Sequence, residues 1–312
     1  MHYLNKVDEW FWFWRGELGA KRSVIALLLA PAIFGALYFG WSSLAVLIVS
    51  VLSCMAVGIL IRKINGESFA FFHPGSVLTG LLIGVTCGAA LPFYMIIVGA
   101  CVAEFLGKIL LRNNKGNIFN PAVLGRSAIA ILETVDPVPY ADLSTGASTL
   151  FKNAGGVVPP EYINAFLGTT KGAIGETSAL ILIIVGFLLL RYVVIKRHAA
   201  IAAILTVPIA VWVLPPSADV VGHAPWVMDP FLFLIGGPML LLSLFFVTDP
   251  VTSPNTLAGA LIFGIGVGLM AVLGKLYTTV AGVEMYGILI MNIFTPYLNK
   301  LTFGVQAMRK RI

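Results

Sequence analysis

Nine residues, DLSTGASTL at 142–150, place four hydroxyls around a Gly-Ala pair shortly after an acid. An exposed hydroxyl on an open backbone can accept a transferred group, and Gly146 and Ala147 leave the backbone uncovered. The plainer reading of the same composition is a hydroxyl-rich turn. A second set of candidates is charged. Glu104, Lys108, Arg126, Glu133, Glu176 and Asp249 lie in or beside long apolar runs, where an ionised side chain is expensive enough to be functional by default. Structural roles compete with that reading. Lys108 and Arg126 can snorkel toward an interface. Glu104 precedes Lys108 by four residues, the spacing of a pair on one helix face. Glu176, in GETSA, can complement the dipole of the helix it opens.

The stretches NIFNPAVLG (117–125) and FFVTDPVTSP (245–254) each set an Asn-Pro or Asp-Pro at the edge of an apolar run. Such a dipeptide starts a helix and caps its first turn. Two such helix N-termini can also face an anionic or polar ligand, so Asn120 and Asp249 join the candidates. No nucleophile–base pair, Walker loop or Rossmann fingerprint is present. The glycines of GIGVGLMAVLG (264–274) sit at helical spacing inside an apolar run, which fits close helix packing better than phosphate binding. Cys54, Cys87 and Cys101 lie singly in apolar runs without CxxC spacing and read as small packing residues. His2, His73, His198 and His223 are scattered and make no zinc signature.

The elements that must position these residues are helical and lipid-embedded. The chain is 59% hydrophobic and 11% charged, where a soluble domain carries about a quarter charged residues. The expected fold class is therefore an all-α polytopic membrane protein. The net charge of +6 does not indicate a nucleic-acid partner, because the basic residues fall at the ends of apolar runs rather than in one patch. Ten spans are expected, at 24–40, 42–61, 75–91, 93–111, 121–135, 175–193, 199–214, 230–247, 257–274 and 279–295. With the N-terminus inside, only Lys152, Lys171 and Lys275 of the 20 lysines and arginines fall on outer segments. That one-sided count puts both termini in the cytoplasm. The first run begins near Val24 with no small-residue cleavage site before it, and reads as an uncleaved signal anchor.

The resulting organisation has five parts: an interfacial leader (1–23), a first five-helix half (24–135), an outer loop (136–174), a second five-helix half (175–295) and a basic cytoplasmic tail (296–312). The leader, with WFWFWRGELGAKR, suits the headgroup layer. An odd number of spans before the long loop makes the second half begin on the opposite side, the topology of an inverted repeat with a site between the halves. Two runs are short, VLTGLLIGVTCGAAL (77–91) with three glycines and AVLGRSAIAILETV (122–135) with Arg126 and Glu133. Short or Gly-interrupted spans are where helices break and backbone lines a cavity.

Five segments, taken together, carry a family resemblance: APAIFGALYFGW (30–41), GSVLTGLLIG (75–84), NIFNPAVLG, FLGTTKGAIGETSALILIIVGFLLL (166–190) and FFVTDPVTSP. In family order, they resemble RnfD, the D component of the Rnf ion-translocating electron transport complex, and its relative NqrB, the B component of the sodium-pumping NADH:quinone reductase. The short leader is closer to the Rnf form. The resemblance implies a urea-channel-like arrangement of the two halves. It also implies a flavin mononucleotide (FMN) joined by a phosphoester bond to a hydroxyl of the outer loop. Asp142, Thr145, Gly146, Ala147 and Ser148 match the pattern read by a flavin transferase, so Ser148 is the expected acceptor. Serine stands where threonine is usual, and the adjacent Thr149 is the alternative.

A second, non-covalent flavin (riboflavin) is implied near the broken spans. Glu104, Asn120, Glu176 and Asp249 are then candidates for an ion path or that inner flavin pocket. The family commonly has acids where this chain has His73 and, in the second span, near Gly58; both departures bear on the coupling ion or its path. The implied activity is electron transfer of the ferredoxin/NAD type coupled to Na⁺ or H⁺ translocation across the cytoplasmic (inner) membrane, with the flavin loop on the outer face. This chain has no iron–sulphur ligands and no nucleotide fold, so it is not expected to act alone. Implied partners are the flavin-bearing G component of the complex, its membrane components A and E, its NAD- and iron–sulphur-bearing components C and B, the transferase and the lipid membrane. Three other readings remain open: a component of a quinone reductase, a small-solute channel or transporter, and a stand-alone flavinylated protein feeding extracellular electron transfer.

Overall fold

A computed structural model describes residues 17–66, 72–113, 116–136, 160–169, 172–193, 196–217, 229–278 and 282–309. The residues before Glu17 and the whole of DLSTGASTL, with Asp142, Thr145, Gly146, Ala147, Ser148 and Thr149, lie outside the described residues. The chain runs α1 (Glu17–Phe39), α2 (Trp41–Ile64), α3 (Pro74–Val85) and α4 (Phe93–Cys101), which continues as a π-helix over Val102–Leu110. A two-residue ladder, Arg112–Asn113 against Gly116–Asn117, turns the chain into α5 (Pro121–Val135). Then come α6 (Pro160–Leu167), α7 (Ala179–Tyr192), α8 (Arg197–Val213), α9 (Pro230–Ile235), α10 (Met239–Leu241) with a π-helical continuation over Leu242–Phe246, α11 (Leu257–Tyr277) and α12 (Val283–Arg309).

Among the described residues, four helices are long and apolar enough to cross a membrane: Gly19–Phe39, Trp41–Ile64, Phe93–Leu110 and Leu257–Tyr277. This is the build of a polytopic helical membrane protein. Outward-facing Leu37, Leu52, Phe187, Leu205 and Trp212 are more than half exposed, a surface that lipid rather than water accepts. α3 has 12 residues, about 18 Å at ~1.5 Å per residue. It therefore covers only part of a hydrocarbon layer about 30 Å thick.

Side-chain caps fix four of the described helix starts. Asn120 caps α5, its Oδ1 accepting from the N–H groups of Ala122 and Val123 at 3.0 and 3.4 Å. Thr256 caps α11 through Gly259 N–H at 3.1 Å. Asp229 caps α9, accepting from Phe231 and Leu232 N–H, each at 2.9 Å. It also accepts the Tyr162 hydroxyl from α6. Five expected spans are corrected. The first begins at Glu17, inside the segment read as the leader, and the last runs from Val283 to Arg309, through most of the segment read as the tail. The third stops at Val85 rather than 91, with Thr86 turning its hydroxyl back to the Leu82 and Ile83 carbonyls and Pro92 opening the next helix. The sixth begins at Ala179, because Ser178 supplies the cap. The eighth is split at Gly236–Pro238, where proline ends one helical ladder and opens another. α6 is a helix within the segment read only as an outer loop.

The core is held by backbone approaches that small residues permit. α8 packs on α11 through Gly264 and Gly268. A Cβ at Gly264 would lie 2.2 Å from the Ala199 carbonyl oxygen, so the glycine spacing is a packing stripe, as expected. Gly264→Ala should force the pair apart and destabilise the fold by about 1–3 kcal/mol, seen as a lower thermal midpoint in detergent. Gly237→Ala, where an added Cβ meets nothing within 4 Å, should leave the midpoint almost unchanged.

Candidate functional site

Among the described residues, the charged candidates fall in three groups of polar side chains within the apolar interior. The first gathers at the N-termini of α5, α8 and α11. Asn120 Nδ2 donates to Asp249 Oδ2 at 3.3 Å, and Asn120 N–H donates to Asn292 Oδ1 of α12 at 3.1 Å. Asn292 Nδ2 and the Thr295 hydroxyl both donate to the Thr252 carbonyl, at 3.3 and 2.8 Å. Asp249 also accepts from Val251 N–H at 3.1 Å and from the Thr252 hydroxyl at 2.9 Å. Lys196, the residue before α8, donates to the Ser253 carbonyl at 2.8 Å and to Asn255 Oδ1 at 2.6 Å. Asp249 lies in the turn between the Leu242–Phe246 π-helix and α11, outside both helices. Burial raises its carboxyl above the ordinary range, against the N–H of Val251, the hydroxyl of Thr252 and the charges of Lys196 and Lys21. The two proline-bearing stretches thus meet, bridged by Asn120 and Asp249.

The second group centres on Arg126, which is 2% exposed. Its Nε donates to the Thr86 carbonyl at 3.0 Å and its Nη1 to Glu133 Oε2 at 2.9 Å. Snorkelling is therefore overturned for Arg126: a partner one helix away, at the broken end of α3, holds the guanidinium inside. The Tyr286 hydroxyl reaches the Ser127 carbonyl at 3.5 Å. Lys275 Nζ lies 3.1 Å from Glu284 Oε2, an ion pair by distance, yet that oxygen receives no aligned hydrogen bond. Arg126, Glu284 and Lys275 all act electrostatically on Glu176. Glu176 does not cap α7. Its Oε1 instead accepts Ala173 N–H at 2.7 Å within the preceding turn. That turn is fastened to the broken end of α3, Gly175 N–H donating to the Val85 carbonyl at 2.7 Å and Ile174 N–H to the Cys87 carbonyl at 3.0 Å.

The third group is Glu104, Lys108 and Ser76. Lys108 Nζ sits 2.5 Å from Glu104 Oε1 and 3.2 Å from the Gly75 carbonyl, and the Ser76 hydroxyl donates to Glu104 Oε2 at 3.3 Å. The helix-face pairing expected from the spacing is present. Cys54 and Cys87 are buried packing residues, whereas Cys101 is exposed on the outside of α4.

Of the four candidates for a path or pocket, Asn120 and Asp249 come together, while Glu104 and Glu176 fall in separate groups. Sequence reasoning passed over Asn292, Glu284 and Tyr286. A lone asparagine inside the apolar run MNIFT, and an acid opening the last span after Lys275, are the signals that mark the first two.

Two outcomes follow from these charges. Arg126→Met removes the buried donor to the Thr86 carbonyl and the partner of the half-buried Glu133, and should destabilise by about 1–3 kcal/mol. Arg126→Met with Glu133→Leu should recover part of that loss, read as thermal midpoints of the purified variants. For Asp249, the raised folded value means that the folded chain keeps its proton to higher pH than the unfolded one. Its contribution is full below the unfolded carboxyl value of about 3.9 and is lost as pH rises through the folded value. Asp249→Asn should therefore flatten the pH dependence of the midpoint above about pH 4.

Comparison with known sequences assigns the fold to a lineage. The profile of the NQR2, RnfD, RnfE family matches residues 19–306. The chain is 29% identical to the D component of the proton-translocating ferredoxin:NAD(+) oxidoreductase complex of Clostridium ljungdahlii, over 91% of this chain and 89% of that protein. It is also 29% identical to the D component of the Na(+)-translocating ferredoxin:NAD(+) oxidoreductase complex of Acetobacterium woodii, over 92% and 90%. The same identity is found with the B component of the Na(+)-translocating NADH-quinone reductase of Azotobacter vinelandii, over 77% of this chain but 62% of that protein. A profile match across nearly every described helix, with both proline-bearing stretches inside it, makes this chain a member of the NQR2, RnfD, RnfE family.

Proposed function

We propose that this chain is the flavin-carrying membrane component of an Rnf-type complex, passing electrons of the ferredoxin/NAD type in a reaction coupled to Na⁺ or H⁺ translocation. The observation that carries this reading is the match over residues 19–306 together with DLSTGASTL between α5 and α6. The near-complete mutual coverage with the two ferredoxin:NAD(+) oxidoreductase relatives favours the Rnf form over the quinone-reductase form, of which the chain spans 62%. In this reading the ten spans form two inverted five-helix halves in the cytoplasmic membrane, both termini inside and the 136–174 loop outside. Two features support that arrangement: the order helix, helix, short interrupted segment, helix, helix recurs in α1–α5 and α7–α12, and lysines and arginines gather on one side.

Ser148 is the proposed attachment point, with Asp142, Thr145, Gly146 and Ala147 as the turn that a transferase recognises and Thr149 as the alternative acceptor. The donor chemistry fits: a primary hydroxyl beside Gly-Ala can form a phosphoester without crowding. A bound flavin supplies the one- and two-electron redox chemistry that no side chain of this protein provides. The protein's own residues set position and exclude water. Glu176 and the Asn120–Asp249 pair, with carboxylates held by neutral N–H or O–H donors, are the proposed acids of an ion path or of an inner pocket for a non-covalent riboflavin. The chain works with partners: components C and B of the complex for NAD and iron–sulphur clusters, G for a further flavin, and A and E in the membrane.

The second reading is a small-solute channel, favoured by one feature, the interrupted α3 whose broken end is fastened to the turn before α7. Peptide mass spectrometry of protein produced beside its own flavin transferase separates the two. An FMN adduct on the 142–150 peptide, located to Ser148 and absent in Ser148→Ala, is the expected result. An adduct on Thr149 moves the site by one residue. An unmodified peptide from native membranes, with solute uptake by the isolated protein, would establish the channel instead.

A further inference from the structure

The Glu104 group has a geometry that the proposed function does not use. Glu104 is 2% exposed and Lys108 is 22% exposed, so the carboxylate is the fixed buried charge and the lysine reaches it from the edge. Both lie on the π-helical continuation of α4. A π-helix closes its hydrogen bonds five residues apart, so residues four apart stand nearly one above the other. The ammonium is gripped by Glu104 Oε1 at 2.5 Å and the Gly75 carbonyl at 3.2 Å, while Ser76 holds the second carboxylate oxygen at 3.3 Å. α2 closes the remaining side at Gly58. A Cβ there would stand 2.5 Å from Ser76 Oγ and 3.2 Å from Glu104 Oε2. Every donor is a hard oxygen: carboxylate, hydroxyl and backbone carbonyl.

We propose that the Lys108 ammonium is a tethered cation seated in an oxygen-lined site of Glu104, Ser76 and the Gly75 carbonyl, and that this site accepts Na⁺ when the ammonium is removed. Oxygen donors of this kind suit hard cations. The charge selects the class. One carboxylate is neutralised by one positive charge, and a divalent ion would leave a net charge buried among apolar helices, which is strongly unfavourable. The consequence for the intact protein is that Glu104 is closed to a transported ion while Lys108 is in place. This goes beyond the proposed function and does not depend on the flavin.

The test uses the full-length purified chain, with the thermal midpoint followed as NaCl replaces choline chloride at constant ionic strength. A ligand that binds only the folded state raises the midpoint as its occupancy grows. Lys108→Ala and Lys108→Gln should each gain a saturable, Na⁺-specific rise of several degrees beyond any rise in the wild type. Glu104→Gln combined with Lys108→Ala should lose that gain. The proposal is overturned if neither single variant shows the added rise, whether folded or unable to fold in either salt. It is equally overturned if the gain survives in the double variant, because the cation would then sit elsewhere.

Discussion

A peptide group without a partner inside lipid is worth several kilocalories per mole of instability, and this one constraint organises the centre of the molecule. α3 ends at Val85, short of a full crossing, and leaves carbonyls pointing into an apolar interior. Val85 and Cys87 are satisfied by the N–H groups of Gly175 and Ile174, and Thr86 by the Arg126 guanidinium. The first pair ties the end of α3 to the turn before α7. The second ties it to α5. Gly35 of α1 must also be bare, since a Cβ there would run into the Ile174 carbonyl oxygen at 1.8 Å. Four elements separated along the chain are thus positioned by what one broken helix requires.

The buried charges obey the same rule in three different ways. Glu104 is neutralised inside its own helix by Lys108. Arg126 and Glu133 form a pair along α5, with the guanidinium serving the backbone as well. Asp249 is held by neutral donors, Asn120, Val251 and Thr252, with Lys196 and Lys21 acting at longer range. These arrangements differ in what they leave available. The Glu104 carboxylate is matched by a cation on its own helix, whereas the Asp249 carboxyl is held by neutral donors and burial favours its protonated form.

How much of this was legible depends on distance along the chain. The starts of α2, α4 and α5 follow from Gly40, Pro92 and Asn120-Pro121, because turns and caps are decided within a few residues. The Glu104–Lys108 pair was legible for the same reason. The early end of α3 and the split at Gly236–Pro238 were less so, since an apolar run does not show where its helical ladder stops. Snorkelling was a fair reading of Arg126 from its position near a helix start. It fails because the Thr86 carbonyl, 40 residues earlier, offers a better partner than the interface. The role of 142–150 is legible only through family resemblance, because a hydroxyl-rich turn carries no physical mark of its modification.

By itself, then, the sequence determined the lipid-embedded class, most of the long helices, some of their capped starts and the local ion pair, all consequences of composition and near-neighbour chemistry. Tertiary structure alone decided which buried polar groups meet. Asn120 finds Asp249 across 129 residues and Asn292 across 172. In an apolar interior a polar group takes whichever partner the packing brings within reach, and packing is a property of the whole fold.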